Sequence, residues 1–586
     1  MEKYKKELLP NLKKLPVPEL QETLVELNNW LRPVVSLEQL RSFQKKAIAF
    51  RFSDGILLQK DLVDYAENTA GSWLAPLWEE SYLEGRGYLQ TESNFGLVID
   101  EYYYDQVESK EARAAQLIYQ MGKIYLSLLD GTFPIEYTKT KQPVDMSFYT
   151  NFFKSCRIPG GKRDSFFKGE LEAADNYVVI FAKNRYFRLA ITNSLGELYP
   201  VEQLQENLKF ILSFEAEKSG EQLLPYVTGV ERAHSNRLYH QLKETSLNKQ
   251  SLQSIENALF ILSFSDGKDE SKEDRITEVL LNTSHQFLSK TTQAVITKNG
   301  FIGFNMEHTA IDGVPTLNLL TKIFDAFNEE YTQQITGESD SDLVQKIEWS
   351  LTDEMIGALQ EAKQLAEVEN GSYCIKHQVV SEVGKERMKK ANVSPDAFFH
   401  ISLAMAQQTL FGKLRSVYEP VAMRMYYEGR TESARSISQE KKRFVEAFYN
   451  EQEPTAKDEL VEQFIIAANS HSERIRQCQN GQGIERHLFG LQKMALNPEE
   501  GNVFFSAEAL SLLTEDFIST TGIPYEIVES FSFGPVNKAG FGLYYGILDE
   551  EVILTLSAKN IYEDNAIQLL EAISEALISL TILLDI

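Results

Sequence analysis

Apolar and polar positions along this chain follow two periods, and segments of each kind are interleaved from one end to the other. Leu20, Leu24, Leu27 and Leu31 repeat every three or four residues and predict a helix over 19–35. The stretch before it, Leu9 to Leu20, reads as extended, because Pro16 and Pro18 disfavour helix in the residues that precede them. Ser36 and Gln39 have the spacing of a capping box, which predicts a second helix. Further helical patterns cover 201–212 and the polar stretch 348–367. Another opens on Ser394-Pro395-Asp396 and runs to about Leu410, with serine as cap, proline at the first position and acid in the first turn.

Strands are predicted where apolar runs are short or alternate. NYVVIFA from Asn176 and YFRLAI from Tyr186 form a pair joined at Lys183-Asn184-Arg185. Residues 257–264 read as a buried strand, followed by a charged loop over 265–275 that reads as solvated surface. Gln293 to Thr297 and the apolar run from Phe301 flank Asn299-Gly300, the signal of a hairpin with a two-residue primed turn. A further hairpin surrounds Asp549-Glu550. Trp73 and Trp78, within 71–88, read as core aromatics. This mixture predicts an α/β or α+β protein with large mixed sheets and no internal repeat.

Size and charge narrow the picture. At 586 residues the chain is too long for one core, so two domains are expected. A formal net charge of -26 argues against nucleic acid or an anionic membrane as partner, and any anionic ligand would need a local group of cations. Cys156, Cys374 and Cys478 lack metal-ligand spacing, so reduced thiols, no metal and a cytoplasmic location are expected. The first ten residues are too polar for a signal-peptide core, and Ala576 to Leu584 is too short to span a bilayer.

The chemistry centres on Phe301 to Leu320, where an apolar run ends at Glu307-His308 and Asp312-Gly313 follows. His308 is expected where a strand stops, and an imidazole there can exchange protons near neutral pH. Alone, H-x-x-x-D-G is a short pattern, and a satisfied core histidine before an ordinary Asp-Gly turn is the commoner finding.

Other blocks occur with it in fixed order: LPVPELQETL from Leu15, Ser155-Cys-Arg-Ile-Pro-Gly160, Ser394-Pro-Asp-Ala-Phe398, Tyr418-Glu419 with Arg424-Met425, Gly429-Arg-Thr431, Arg486-His-Leu488, Ser519-Thr-Thr521 and Phe533-Gly-Pro-Val536. Together they resemble the choline/carnitine O-acyltransferases over nearly the whole chain. The resemblance implies two domains of similar mixed-sheet design, like chloramphenicol acetyltransferase, with a tunnel between them. One domain would combine 1–66 with 351–586, and the other would span 67–350 and carry the histidine.

It implies acyl transfer between coenzyme A, as acyl-CoA substrate, and L-carnitine, with no tightly bound cofactor, in a monomer or weak oligomer. His308 matches the general base, Thr521 the hydroxyl expected to meet the oxyanion, and Asp312 an ion-paired holder of the loop. Tyr418, Thr431 and Arg486 match groups that meet the carnitine carboxylate; Ser519 and Phe533 match others around carnitine, with Phe533 against the trimethylammonium. Lys385, Lys389 and Asp396 match the CoA side. Phe531, where longer-chain members have glycine, implies a short acyl group.

Pro420 and Ala422 replace serines of the family pattern, and Ser284 to Lys290 departs from another block. Choline or another amino alcohol as acceptor, and a non-catalytic CoA- or acylcarnitine-binding protein, are the alternatives. H-x-x-x-D-G is also similar to lipoyl-dependent transacylases and condensation domains, but no lipoyl-like domain or long flexible linker accompanies it.

Overall fold

The computed structural model describes every residue except 1–3, 5–6, 9–10, 139, 217, 330–342 and 496–502. The strands that build its two main sheets are β1 (Phe95–Ile99), β2 (Tyr177–Ala182), β3 (Arg185–Ala190), β4 (Ile261–Phe264), β5 (Thr292–Ile296), β6 (Ile302–Met306), β7 (Val344–Lys346), β8 (Tyr373–Val380), β9 (Val417–Tyr418), β10 (Ile518–Gly522), β11 (Val528–Phe533), β12 (Phe541–Ile547) and β13 (Val552–Lys559). The 8-stranded sheet has the order β11-β1-β6-β5-β4-β2-β3-β7, and the 5-stranded sheet β8-β13-β12-β10-β9. Both are mixed: β5 and β4 run parallel, as do β4 and β2, β12 and β10, and β10 and β9, while the remaining neighbours are antiparallel.

Alternation and turn chemistry account for the local structure. β2 and β3 meet at Lys183-Asn184, both at positive φ, as a two-residue primed turn requires. The hairpin before the histidine differs from its expected form. Its connection is three residues, Lys298–Gly300, and only Gly300 lies at positive φ (88°), which is a type I turn closed by a glycine bulge. The capping box at Ser36 and Gln39 forms as expected.

The loop 265–275 is solvated only in part: Asp266, Lys268 and Glu270 are exposed, but Asp269 and Arg275 are buried. Asp269 accepts hydrogen bonds from Thr297 Oγ1 (2.6 Å) and Asn299 N (2.7 Å) and so pins the hairpin turn. Arg275, in the helix Lys272–Leu280, is buried and bidentate with Glu529 of β11 at 2.8 and 2.7 Å. The polar helix begins at Asp353 and runs to Asn370, and the strand expected over 257–264 is confined to β4 because a helix, Ser246–Asn257, ends where it was expected to begin.

The apolar stretch at the C-terminus belongs to a helix, Glu563–Leu583. Its length and composition suit a bilayer span, and 56% of its most apolar window is buried, largely against the helix Pro395–Phe411. The N-terminal helices Leu20–Leu31, Leu37–Arg51 and Asp54–Asn68 pack with Trp73, Leu74 and Leu77 against Val421, Cys478, Leu491 and Leu510 from the C-terminal half. β11, from the same half, pairs antiparallel with β1 in the register Phe95↔Phe533 and Leu97↔Phe531. Leu97, Val98 and Ile99 are fully buried there, and each side chain so removed from water contributes roughly 1.5–3 kcal/mol.

Candidate active site

β6 ends at Met306, and the chain turns through Glu307–Asp312 into the helix Gly313–Asp325. Glu307 points inward: its carboxylate accepts from Thr309 Oγ1 at 2.7 Å and lies 3.4 Å from Arg157, which fastens the turn from behind. His308 points the other way, with 27% of its side chain open to a cavity of about 400 Å³. Its ring stacks on Tyr82 (5.2 Å, 25°) and meets Phe95 edge-on (5.1 Å).

One hydrogen bond sets the tautomer. His308 Nδ1 is 2.7 Å from the carbonyl oxygen of Ile311, and a carbonyl can only accept, so Nδ1 carries the proton and Nε2 keeps its lone pair. Asp312 Oδ1 is 4.0 Å from Nδ1, too far for a hydrogen bond. Its carboxylate does not cap the following helix either. It pairs with Arg430, Nε to Oδ2 at 3.0 Å, while Arg430 Nη1 donates to the carbonyl of Thr309 at 3.0 Å. Asp312 is thus tied to Arg430 and makes no hydrogen bond to the His308 ring.

Arg430 reaches this position from left-handed backbone (φ 56°), beside Gly429, where a Cβ would lie 2.1 Å from the carbonyl of Met423. Burial lowers the His308 pKa below its ordinary 6.5; Asp312 opposes this and Arg430 adds to it, leaving a neutral imidazole at pH 7.

The facing wall comes from the 5-stranded sheet. Ser519 and Thr521 are two apart on β10 and both line the cavity, while Thr520 donates to the carbonyl of Tyr418 on β9 at 2.7 Å. Among the described residues the buried Ser519 hydroxyl finds no hydrogen-bond partner, an uncommon state for an interior hydroxyl. Phe531 and Phe533 line the same space from β11, and Phe531 is stacked between Phe95 and Tyr544, at 5.3 Å from each.

Tyr418, Thr431 and Arg486 come together. Arg486 Nη2 donates to Tyr418 Oη at 3.0 Å, Nε donates to the carbonyl of Thr431 at 3.0 Å, and the guanidinium lies 3.8 Å over Trp78. Tyr418, Thr431 and Trp78 line the cavity, with Arg486 immediately behind them and 3% exposed.

Lys385, Lys389 and Asp396 are not in the cavity wall. Lys385 is ion-paired to Asp549, Lys389 to Glu386 at 2.8 Å, and Asp396 accepts from Tyr545 at 2.6 Å. Pro420 and Ala422, the departures from the family pattern, do line it. Sequence reasoning missed Tyr82, Arg430 and Phe95, and took Trp78 for core. The one available signal was Arg430, inside the quoted Gly429-Arg-Thr431 block.

The choline/carnitine O-acyltransferase family matches residues 15–575. The carnitine O-acetyltransferase of Columba livia is 28% identical, covering 99% of this chain and 94% of that protein, and the human one is 26% identical over 98% and 94%. The choline O-acetyltransferase of Sus scrofa is 25% identical over 97% and 92%. Among solved structures, a trichothecene 15-O-acetyltransferase from Fusarium sporotrichioides aligns with a TM-score of 0.33 and 11% identity over 56% of this chain and 78% of that one, a distance at which nothing about the site carries over. With a family match over nearly its full length and a two-sheet cavity built around a neutral histidine, this chain belongs to the choline/carnitine O-acyltransferase family and is an acyltransferase enzyme.

Proposed function

We propose that the enzyme moves a short acyl group reversibly between coenzyme A and the hydroxyl of L-carnitine, by direct attack and without an acyl-enzyme. The observation that carries this reading is the His308 Nε2 lone pair opening onto a cavity lined by Tyr418 and Thr431, with Arg486 bonded to both from behind the wall. Nε2 takes the hydroxyl proton as the oxygen attacks the thioester carbonyl. The Thr521 hydroxyl donates to the resulting oxyanion. Collapse breaks the carbon–sulfur bond, and the departing thiolate recovers the proton from Nε2; the reverse reaction retraces these steps.

The guanidinium fork suits a carboxylate, Ser519 offers a free buried hydroxyl at the same wall, and Phe533 suits the trimethylammonium. On the CoA side, Lys385 and Lys389 now hold exposed acid partners, and pairs of that kind are worth only about 0–1 kcal/mol, so a phosphate can displace them. The two substrates would enter from opposite ends of the cavity. The three cysteines are unpaired, a state that fits any reducing compartment.

Free-thiol release from acetyl-, octanoyl- and palmitoyl-CoA, with L-carnitine or choline as acceptor, tests the reading. Release is expected to depend on carnitine and to favour acetyl over octanoyl by about tenfold or more, because Phe531 closes the acyl end. Equal rates with choline would overturn the carnitine assignment. Phe531→Gly should shift the preference toward octanoyl-CoA, and an unchanged chain-length profile would remove Phe531 from the acyl pocket.

The pH dependence follows from the histidine. Because burial lowers its pKa, Nε2 stays unprotonated to a lower pH than a free imidazole. The profile of kcat/KM should therefore be flat around pH 7 and fall only on an acid limb centred below 6.5. An acid limb centred above 6.5 would mean that a different group is the base.

A further inference from the structure

Away from the cavity wall, buried polar side chains converge on one carboxylate. Asp396 sits in the first turn of the helix Pro395–Phe411, with 38% of its side chain exposed. Its Oδ2 is 3.0 Å from His471 Nε2, and its Oδ1 accepts from Tyr545 Oη at 2.6 Å. Beyond His471, Nδ1 is 2.8 Å from Lys441 Nζ, which also donates to the carbonyl of Ser436 at 2.7 Å. Beyond Tyr545, His400 Nε2 is 3.0 Å from the phenol oxygen and 3.3 Å from Glu419. Lys441, His471, Tyr545, His400 and Glu419 are all buried.

The donor rules give this chain a direction. An ionised carboxylate only accepts, so His471 Nε2 carries the proton, that N–H points at Asp396, and Nδ1 is left to accept from Lys441. The phenol O–H also points at Asp396, because an ionised carboxylate only accepts, and the phenol oxygen is left to accept from His400. Burial pushes the Asp396 pKa up, but the His471 hydrogen bond and the neighbouring histidines hold it well below the usual carboxylate range. Burial and the Asp396 charge push the Glu419 pKa up. The outcome is an ionised Asp396 carboxylate held at both oxygens, with 38% of its side chain exposed. Such a group attracts amide N–H or hydroxyl donors and repels phosphate.

We infer that Lys441 and His471 are positioning residues for the acyl donor, acting through Asp396 to aim it at an N–H or O–H of the donor's amide-bearing arm. This rests on the resemblance that sets Asp396 on the CoA side, taken here as the side of the amide-bearing arm. Lys441→Met removes the donor to His471 Nδ1, leaves that nitrogen buried without a partner, and so loosens the ring that holds Asp396.

Steady-state kinetics of acetyl-CoA and L-carnitine with Lys441→Met, Asp396→Asn and the double variant test it. Lys441→Met should raise the KM for acetyl-CoA by about tenfold, as expected for losing a charged hydrogen bond, and leave the KM for carnitine within about twofold. It should add nothing in the Asp396→Asn background. Lys441→Gln, which keeps an N–H for His471, should stay near wild type even if the methionine variant does not fold.

If Asp396→Asn raises the KM and Lys441→Met does not, or if the two effects add, the inference fails while the reading of Asp396 stands. If Asp396→Asn leaves the KM for acetyl-CoA unchanged, both fail. Ligand atoms of Asp396, His400, Glu419 and His471 lie within 4.8 Å of one another, so stoichiometric divalent metal in the purified protein would make His471 a metal ligand and overturn the hydrogen-bond chain.

Discussion

His308→Ala should lower kcat for carnitine-dependent thiol release by about 10³–10⁴-fold, the upper part of the range for losing a general base. KM for either substrate should move little, because the ring lies at the reacting atoms and neither the fork at Arg486 nor the site around Asp396 depends on it. No neighbour is suited to replace it. Tyr82, stacked on the ring, has its phenol pKa pushed far up by burial, and Asp312 is committed to Arg430. His308→Gln separates the chemistry from the packing: it refills the space and offers an N–H for the Ile311 carbonyl, but supplies no basic nitrogen. The two variants should be equally slow. Single-turnover measurements on each check this, and a residual rate within tenfold of wild type would show that His308 does not move the proton.

Arg486→Ala should raise the KM for L-carnitine by about 30–100-fold, the equivalent of roughly 2–3 kcal/mol from lost charge-assisted hydrogen bonds. The KM for acetyl-CoA should stay within about twofold. The loss is specific because Arg486 fixes Tyr418 and Thr431 as well as supplying charge.

The cavity floor tolerates the change. Glu485 keeps Arg435 as partner, with Nη2 at 2.9 Å from its carboxylate. Glu432, already pushed up to about 7 by burial, rises further without the arginine and becomes neutral rather than a stranded charge. Thermal unfolding of the variant should therefore shift by only a few degrees. Choline, which has no carboxylate, offers the control: its turnover, however slow, should be insensitive to the substitution. An unchanged carnitine KM would mean that the carboxylate is read elsewhere.

Much of the fold was legible because its signals are local. The capping box at Ser36, the primed turn at Lys183-Asn184 and the proline-started helix at 395 depend on residues within a few positions of one another. His308 at a strand end followed from the same kind of evidence. What escaped depends on partners far apart in sequence. The Arg430-Asp312 pair spans 118 residues, and the Arg275-Glu529 pair spans 254.

A charge run is usually solvated because its partner is usually water, and nothing near Arg275 announces a buried acid on β11. Trp78 and Tyr82, four apart on the helix Leu74–Glu84, form the same stripe that a core would need. Only the assembled sheets reveal that this stripe borders a cavity. The hairpin turn was misjudged by one residue, since Asn-Gly suits both the primed turn and the glycine bulge, and Asp269 favours the second by binding Thr297 and Asn299.

The pairing of β11 with β1 constrains how this enzyme can breathe. A strand from the C-terminal half is sewn into the sheet that carries the histidine, through registered pairs from Phe95↔Phe533 to Ile99↔Val528, and Arg275 rivets it at Glu529. A clam-like hinge between the halves would have to rip that seam. Any opening of the cavity that keeps this seam intact must therefore come from loops and side chains at its rim.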